Sequence, residues 1–518
     1  MKKSLKILQV VKVAICLTLI FVFLGQSITA YARMGSMGFF GGISQGVRLP
    51  QTTETIIANA TGNRPNPNTI LPYKEVIFLG GHPVTFEGTL EVRHGQIPAG
   101  QLHGNFTETY IVRNSSLTNP DIRINREIVF NVNFRVHGSQ VIKDYRVTRW
   151  QETIWIGDDA FVLDPSQSYF GLSIIIDNTP GVTYYKGNVS QRAVYQLGTG
   201  DDLTIVRHET SSAFYGYSSA WSATETHRVN GAVIHDGWQM TYQVRPSVSV
   251  NKELQYSRNE PQAISFAGNY RELLQSQSGL RWDIIARPTQ FFDFPRSGSE
   301  SIQSHNTFEQ LPAPDVEFLR GHPAQSDIER LFAMNILRGE TRHFRPEQAI
   351  TRGQFVAAVS RAIKLPIQPQ QPQRGRGAPS LNIVFPDVQP DRPEYDYIMA
   401  AYRAGLAVGR TGGNFFADST IDRQEAIVIL LRTLGLENLA LDPTPQTVFT
   451  DDAQIASWAR RELAAAERIG LIVADANGRI HPRTTVSNAE AAALINRLIE
   501  YMRTDLARDY INIVNFGD

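Results

Sequence analysis

The sequence predicts a multidomain chain: an all-β, antiparallel, sandwich-like domain over 70–294 and an all-α bundle of three repeats over 315–505. Three observations carry this. Between 70 and 259 apolar and polar residues alternate with a period of two, whereas beyond 315 the apolar period becomes helical. Within the helical part the same helix start is written three times, at Thr351-Arg352-Gly353-Gln354, Asp422-Arg423-Gln424-Glu425 and Ser487-Asn488-Ala489-Glu490.

The N-terminus reads as a secretory signal peptide over 1–32: Lys2, Lys3, Lys6 and Lys12, an uncharged apolar run over 13–24, then Ala30-Tyr31-Ala32 as a small-residue cleavage site. A run this short falls well below the roughly 20 residues a membrane-spanning helix needs. The expected product is exported, with no membrane segment after cleavage. The only cysteine, Cys16, lies inside the run, so disulfides, thiolate catalysis and Cys-ligated metals are excluded together from the mature chain. Removing four lysines turns 50 basic against 50 acidic residues into 46 against 50. Neither balance offers the basic face that nucleic-acid binding requires.

Residues 33–69 are glycine-rich at the start and lack periodicity, which predicts a flexible arm. In the β region, Ile128, Phe130, Val132, Phe134 and Val136 alternate with Val129, Asn131, Asn133, Arg135 and His137, the pattern of a half-buried strand. Further strands are expected at 76–79, 109–112, 171–176, 203–206, 240–244 and 282–285, with a short helix at 271–274. Val229-Asn230-Gly231-Ala232 reads as a hairpin with a type I′ turn, because Asn and Gly tolerate positive φ. Asp177-Asn178-Thr179-Pro180-Gly181 and Gly198-Thr199-Gly200-Asp201-Asp202 read as two more turns. Short connections and polar alternate faces favour antiparallel pairing. Serines and prolines over 295–314 predict a linker, and a second, rich in Pro, Gln and Arg, is expected over 366–383 between the first and second repeats. The repeats occupy 315–365, 384–440 and 446–505, with a C-terminal tail at 506–518.

Each repeated helix start places a hydroxyl or carboxylate at the N-cap and a Gln or Glu three residues on, so three capping boxes are expected. Units that cannot bury an apolar face alone must pack on one another, so one module of three pieces follows. Arg352 and Arg423 fall at the first helical position, where the positive end of the helix dipole disfavours a cation. Free N–H groups at a helix start together with a guanidinium make a site for a carboxylate. An arginine simply paired with a nearby acid is the competing reading.

The motifs also carry a family resemblance. Phe385-Pro386-Asp387-Val388, Gly405-Leu406-Ala407-Val408-Gly409 and Ile421-Asp422-Arg423-Gln424-Glu425 in the second copy resemble S-layer homology domains, the modules by which exported bacterial proteins hold cell-wall polysaccharide. The first copy is similar through Gly321-His322-Pro323-Ala324, Ile336-Leu337-Arg338-Gly339 and Ile350-Thr351-Arg352-Gly353-Gln354, but lacks the Phe-Pro-Asp opening. The third has Phe449-Thr450-Asp451, Trp458-Ala459 and Ile469-Gly470-Leu471-Ile472, yet carries Ala474 for the loop glycine and Asn488 for the signature arginine, and so looks degenerate. The resemblance implies a pseudo-threefold bundle and a wall polymer, typically a pyruvylated one, contacted by the arginines in grooves between repeats. On that reading Arg352, Arg423 and Thr351 bind the ligand, Gly339 and Gly409 let the backbone approach it, and Asp387 orders the groove.

No cofactor or metal is expected. None of the 11 histidines makes a His-Glu-x-x-His pair, and no phosphate loop occurs. Gly42-Ile43-Ser44-Gln45-Gly46 matches a nucleophile elbow in letters but lacks its strand–helix setting, and is read as arm. Asp158, Asp159, Asp201 and Asp202 read as turn residues, and Phe214, Tyr215, Tyr217, Trp221, Trp150, Trp155 and Trp238 as packing. The expected role is a cell-surface protein anchored non-covalently to wall polysaccharide, displaying a structural or adhesive β-domain whose edge strands would suit self-association in a surface layer. The alternative is a wall-tethered carbohydrate-active or carbohydrate-binding protein.

Overall fold

The computed structural model describes residues 40–44, 68–93, 95, 101–115, 118–257, 269–288, 293–302, 306–311, 314–367, 384–440, 442 and 444–510. The expected signal peptide, most of the arm, nearly all of the second linker and the last residues of the tail lie outside them.

The first part is β-rich. Strands β1 (Ile43–Ser44), β2 (Asn68–Ile77), β3 (Val84–Arg93), β4 (His103–Asn114), β5 (Ile122–His137) and β6 (Gln140–Ile156) pair in sequence order, each antiparallel to the last. Next, β7 (Asp159–Leu163) and β8 (Tyr169–Asn178) share the space between β6 and β9 (Val182–Leu197). The meander resumes through β10 (Thr204–Ser219), β11 (Ser222–His235), β12 (Trp238–Ser257) and β13 (Asn269–Ala286), along which β14 (Ser297–Ile302) and β15 (Thr307–Gln310) lie. The described strands hydrogen-bond into one continuous sheet, antiparallel at every pairing as expected.

The alternation read from β5 holds: Ile124, Ile128, Phe130, Val132 and Phe134 are buried on one face while Asn131, Asn133 and Arg135 are exposed on the other. That inner face also buries charge. Arg126 reaches Glu75 and Glu152, each at 2.7 Å, and Tyr73, Trp150 and Tyr195 donate to the same two carboxylates. A buried ion cluster is tolerable only when its lone pairs are satisfied in this way. Thr85 on β3 donates to Glu300 on β14 at 2.9 Å, so the ends of the sheet approach each other.

Four local expectations fail for physical reasons. Asn230 and Gly231 lie inside β11, paired with Ser211 and Thr210 on one side and Gln243 and Tyr242 on the other. Gly231 is there because the Tyr242 ring covers it: a Cβ would stand 2.1 Å from the ring. Residues 271–274 continue β13. The first linker contains β14 and β15, whose exposed alternate residues gave no strand-like hydrophobic pattern. Phe40–Ser44, read as arm, is drawn into the sheet: Ile43 and Ser44 are buried, Ser278 donates to Ser44 O at 2.6 Å, and the Phe40 ring lies 4.3 Å from the Arg126 guanidinium. The two other predicted turns do separate β8 from β9 and β9 from β10.

The second part is helical. Each copy gives two helices: α1 (Gln325–Ala333) and α2 (Arg352–Ala362), α3 (Tyr395–Arg403) and α4 (Arg423–Leu434), α5 (Arg460–Arg468) and α6 (Asn488–Glu500). The second helix of each copy packs on the first helix of the next, α2 on α3, α4 on α5 and α6 back on α1, and α2, α4 and α6 also touch one another. Their buried faces include Phe355, Val359, Ile427, Leu431, Ile495 and Leu498. One hydrophobic core runs from these residues into Tyr184, Tyr217 and Trp221 of the sheet. No described helix is long and apolar enough to cross a membrane.

Candidate functional site

The three signature helices begin at seams between copies. Thr351 Oγ1 accepts from Gln354 N at 3.2 Å while Gln354 Oε1 accepts from Thr351 N, and Ser487 and Glu490 do the same. The middle cap is half a box. Asp422 accepts from Glu425 N at 2.9 Å, but the Glu425 carboxylate turns away to the guanidinium groups of Arg352 and Arg410.

The first N–H groups of these helices are already engaged. Arg352 and Gly353 donate to Ser419 O and Ala417 O of the second copy, Arg423 and Gln424 to Thr484 O and Pro482 O of the third, and Asn488 and Ala489 to Gln348 O and Pro346 O of the first. All six distances lie between 2.8 and 3.0 Å. The expected anion cradle of free N–H groups is thus filled by the neighbouring copy's loop, which satisfies the orphan donors from within the chain. Three isolated bridges, Thr351 with Thr420, Asp422 with Thr485 and Ala349 with Ser487, stitch the same seams.

The arginines cross these seams too. Arg352, only 3% exposed, donates to Val408 O at 2.6 Å, pairs with Glu425 and lies 4.8 Å over the Phe415 ring. Burial lowers its pKa to about 10, and the like charges of Arg410 and Arg432 add to the shift. Arg423, with a side chain 26% exposed, donates to Ile480 O at 3.0 Å and pairs with Glu490. At the third seam Asn488 Nδ2 donates to Arg345 O at 2.9 Å. A rule emerges from the three seams. The first helical residue of one copy is matched to the fourth residue of the next copy's signature: Arg352 to Glu425 and Arg423 to Glu490, while the neutral Asn488 is followed round the ring by the neutral Gln354.

Asp387 accepts from the Phe415 and Phe416 backbone at 2.9 and 2.6 Å, which pins the loop beneath Arg352 and holds Phe416 at a φ of 58°. Asp451 does the same for Ile480 and His481, at 3.1 and 2.8 Å, so the third copy keeps this device despite its altered signature. Gly409 sits tightly: a Cβ would stand 3.0 Å from Phe385 and 3.2 Å from Asn414 O, so these neighbours would have to give by a few tenths of an ångström. Gly339 is needed for its backbone, at a φ of 105°. The six expected residues therefore fall on two seams and their approaches. Arg352, Thr351, Asp387 and Gly409 gather at the first; Arg423 stands at the second; Gly339 lies in the loop after α1. Glu425, Glu490, Arg410 and Asp451 were missed, although the acidic fourth position of the signature was visible. Among the described residues no group of three or more His, Cys, Asp or Glu is gathered for a metal.

The family model described as the S-layer homology domain matches residues 319–356, 384–427 and 448–492. The chain carries three S-layer homology domains. Similar proteins include an amylopullulanase of Thermoanaerobacterium thermosulfurigenes, 29% identical over 179 residues, which is 34% of this chain and 9% of the relative. An S-layer protein of Bacillus licheniformis is 29% identical over 111 residues, 21% of this chain and 12% of its own. An S-layer protein of Bacillus thuringiensis subsp. finitimus is 26% identical over 165 residues, 32% and 18% of the two chains. The chain thus spans less than a fifth of the length of these relatives. Three S-layer homology domains make it a cell-surface, cell-wall-associated protein.

Proposed function

We propose that the S-layer homology domains close into a pseudo-threefold bundle that holds cell-wall polysaccharide non-covalently at its inter-repeat seams, and that the β-rich part is displayed from it as a structural or adhesive domain. The observation that carries this is the cyclic use of one signature: each copy's helix start is received by the next copy's loop, and the third returns to the first. Such closure makes three seams of similar construction with different charge.

The seams differ in what they offer an acidic sugar. Arg423 is the accessible guanidinium, and its acid partner Glu490 is itself 38% exposed, so a ligand carboxylate can compete with it at little cost. At the first seam Arg352 is buried, and the outer cation is Arg410, 39% exposed and sharing Glu425. There Arg352 acts through Glu425 as a positioning residue while Arg410 meets the ligand, with Gly409 leaving the backbone bare beside it. The third seam has no such cation at Asn488 and completes the ring. A pyruvyl ketal carboxylate on the wall polymer suits bidentate recognition by these guanidinium groups. Retention on isolated wall sacculi tests this: Arg423→Ala with Arg410→Ala should release the chain into the supernatant, and full retention of the double variant would rule the seams out.

A further inference from the structure

The end of the helical module opposite the N-caps is covered by the sheet, and the cover is specific to the three signature helices. An α-helix leaves its last four carbonyls without intrahelical partners. For α2, the carbonyl of Ala362 accepts from Trp221 Nε1 at 2.9 Å. For α4, Thr433 O accepts from Gly181 N at 2.8 Å and Leu434 O from Tyr184 OH at 3.0 Å. In the third copy the helix does not end at the sheet but runs on from α6 through a π-turn at Tyr501–Asp505 to residue 510, and Ser222 Oγ donates to Met502 O within that π-turn, where the regular ladder is broken.

These donors come from two neighbouring turns at one end of the sheet, Gly181 between β8 and β9 and Trp221 between β10 and β11, and from the first residues of the strands that follow, Tyr184 in β9 and Ser222 in β11. The Trp221 turn is itself fixed, since Ser219 Oγ accepts from the Trp221 and Ser222 N–H groups at 3.2 and 3.0 Å. The approach is too close for side chains. A Cβ on Gly181 would stand 2.5 Å from Thr433 Cγ2, and one on Gly435 2.1 Å from Thr179 Cγ2. Trp221 is 1% exposed, and Lys252, paired with Glu272 at 3.0 Å, lies 5.5 Å over its ring, placing a cation near the negative ends of the helix dipoles.

We infer that this face of the helical module is an interaction surface whose partner is the chain's own β-domain, so that the two fold and move as one rigid body. One donor set serves one helix from each copy, which ties the closure of the three copies to the docking of the sheet. The capping does not depend on what the seams bind. If the seams bind the wall, the helices of 11 to 13 residues hold the sheet roughly 16 to 20 Å from it at a fixed angle.

Calorimetry and amide hydrogen exchange on the full chain test the inference without any glycan. The unaltered chain should unfold in one transition covering both parts. Trp221→Ala should lower that whole transition and speed exchange in the last turns of α2 and α4 and in the π-turn around Met502 together. Tyr184→Phe, which removes one hydroxyl and keeps the ring, should speed exchange at the end of α4 by about two- to tenfold. Two separate transitions with the helical one unmoved by either variant, or unchanged protection at the end of α4 in Tyr184→Phe, would overturn it.

Discussion

Glu425→Gln separates a buried ion pair from an exposed one built on the same plan. The substitution leaves the Asp422 cap untouched but removes the anion facing Arg352, whose side chain is 3% exposed against 14% for Glu425. Breaking a buried pair by deleting one partner costs about 3 to 5 kcal/mol, because the remaining charge stays desolvated. Arg352 keeps Val408 O and the Phe415 ring, which places the expected loss near the low end, about 3 kcal/mol. The matched control is Glu490→Gln, which preserves the Ser487 capping box. It breaks a pair with side chains 26% and 38% exposed, worth under about 1 kcal/mol. Urea unfolding at pH 7, followed by far-ultraviolet circular dichroism, measures both. A loss below about 0.5 kcal/mol for Glu425→Gln, or equal losses for the two variants, would refute the account of the first seam as a buried electrostatic lock.

Burial in the sheet holds His208 neutral, lowering its pKa from 6.5 to about 4. The unfolded chain takes up that proton first as pH falls, so stability should drop by about 3 kcal/mol between pH 6.5 and 4 and level off below. In His208→Gln this component of the urea pH profile should vanish; an unchanged slope would mean other groups carry it. Asp387→Ala should cost about 2 kcal/mol and speed exchange of the Phe415 and Phe416 amides, with Asp387→Asn milder. Incubation with wall polysaccharide should release no new reducing ends, whereas their appearance would establish the catalytic alternative.

The repeat was legible because its caps are local. Thr351 with Gln354 and Ser487 with Glu490 satisfy backbone donors within one turn, and such chemistry is written in adjacent letters. Asp387 was expected to order the ligand groove from the family motif alone; its bonds reach the Phe415 and Phe416 amides 28 and 29 positions on, which adjacent letters do not show. What failed depended on residues distant in sequence. Asn230-Gly231 has the letters of a turn, but the ring of Tyr242 across the strand requires the glycine. Glu425 looked like the second half of a capping box until Arg352, 73 positions earlier, took its carboxylate. Trp221 read as packing, and it is packed, yet its indole N–H caps a helix 141 residues away. The free N–H cradle was a fair reading of one helix end, and the loop of the next copy fills it.

Wall anchoring through the seams is tested most directly by the affinity of the purified full chain for isolated cell-wall polysaccharide, compared with the Arg410→Ala, Arg423→Ala double variant. The account predicts binding by the unaltered chain and a loss of at least about tenfold in the variant, with its unfolding transition retained. Equal affinity in the two proteins, or no binding by the unaltered chain, would contradict it.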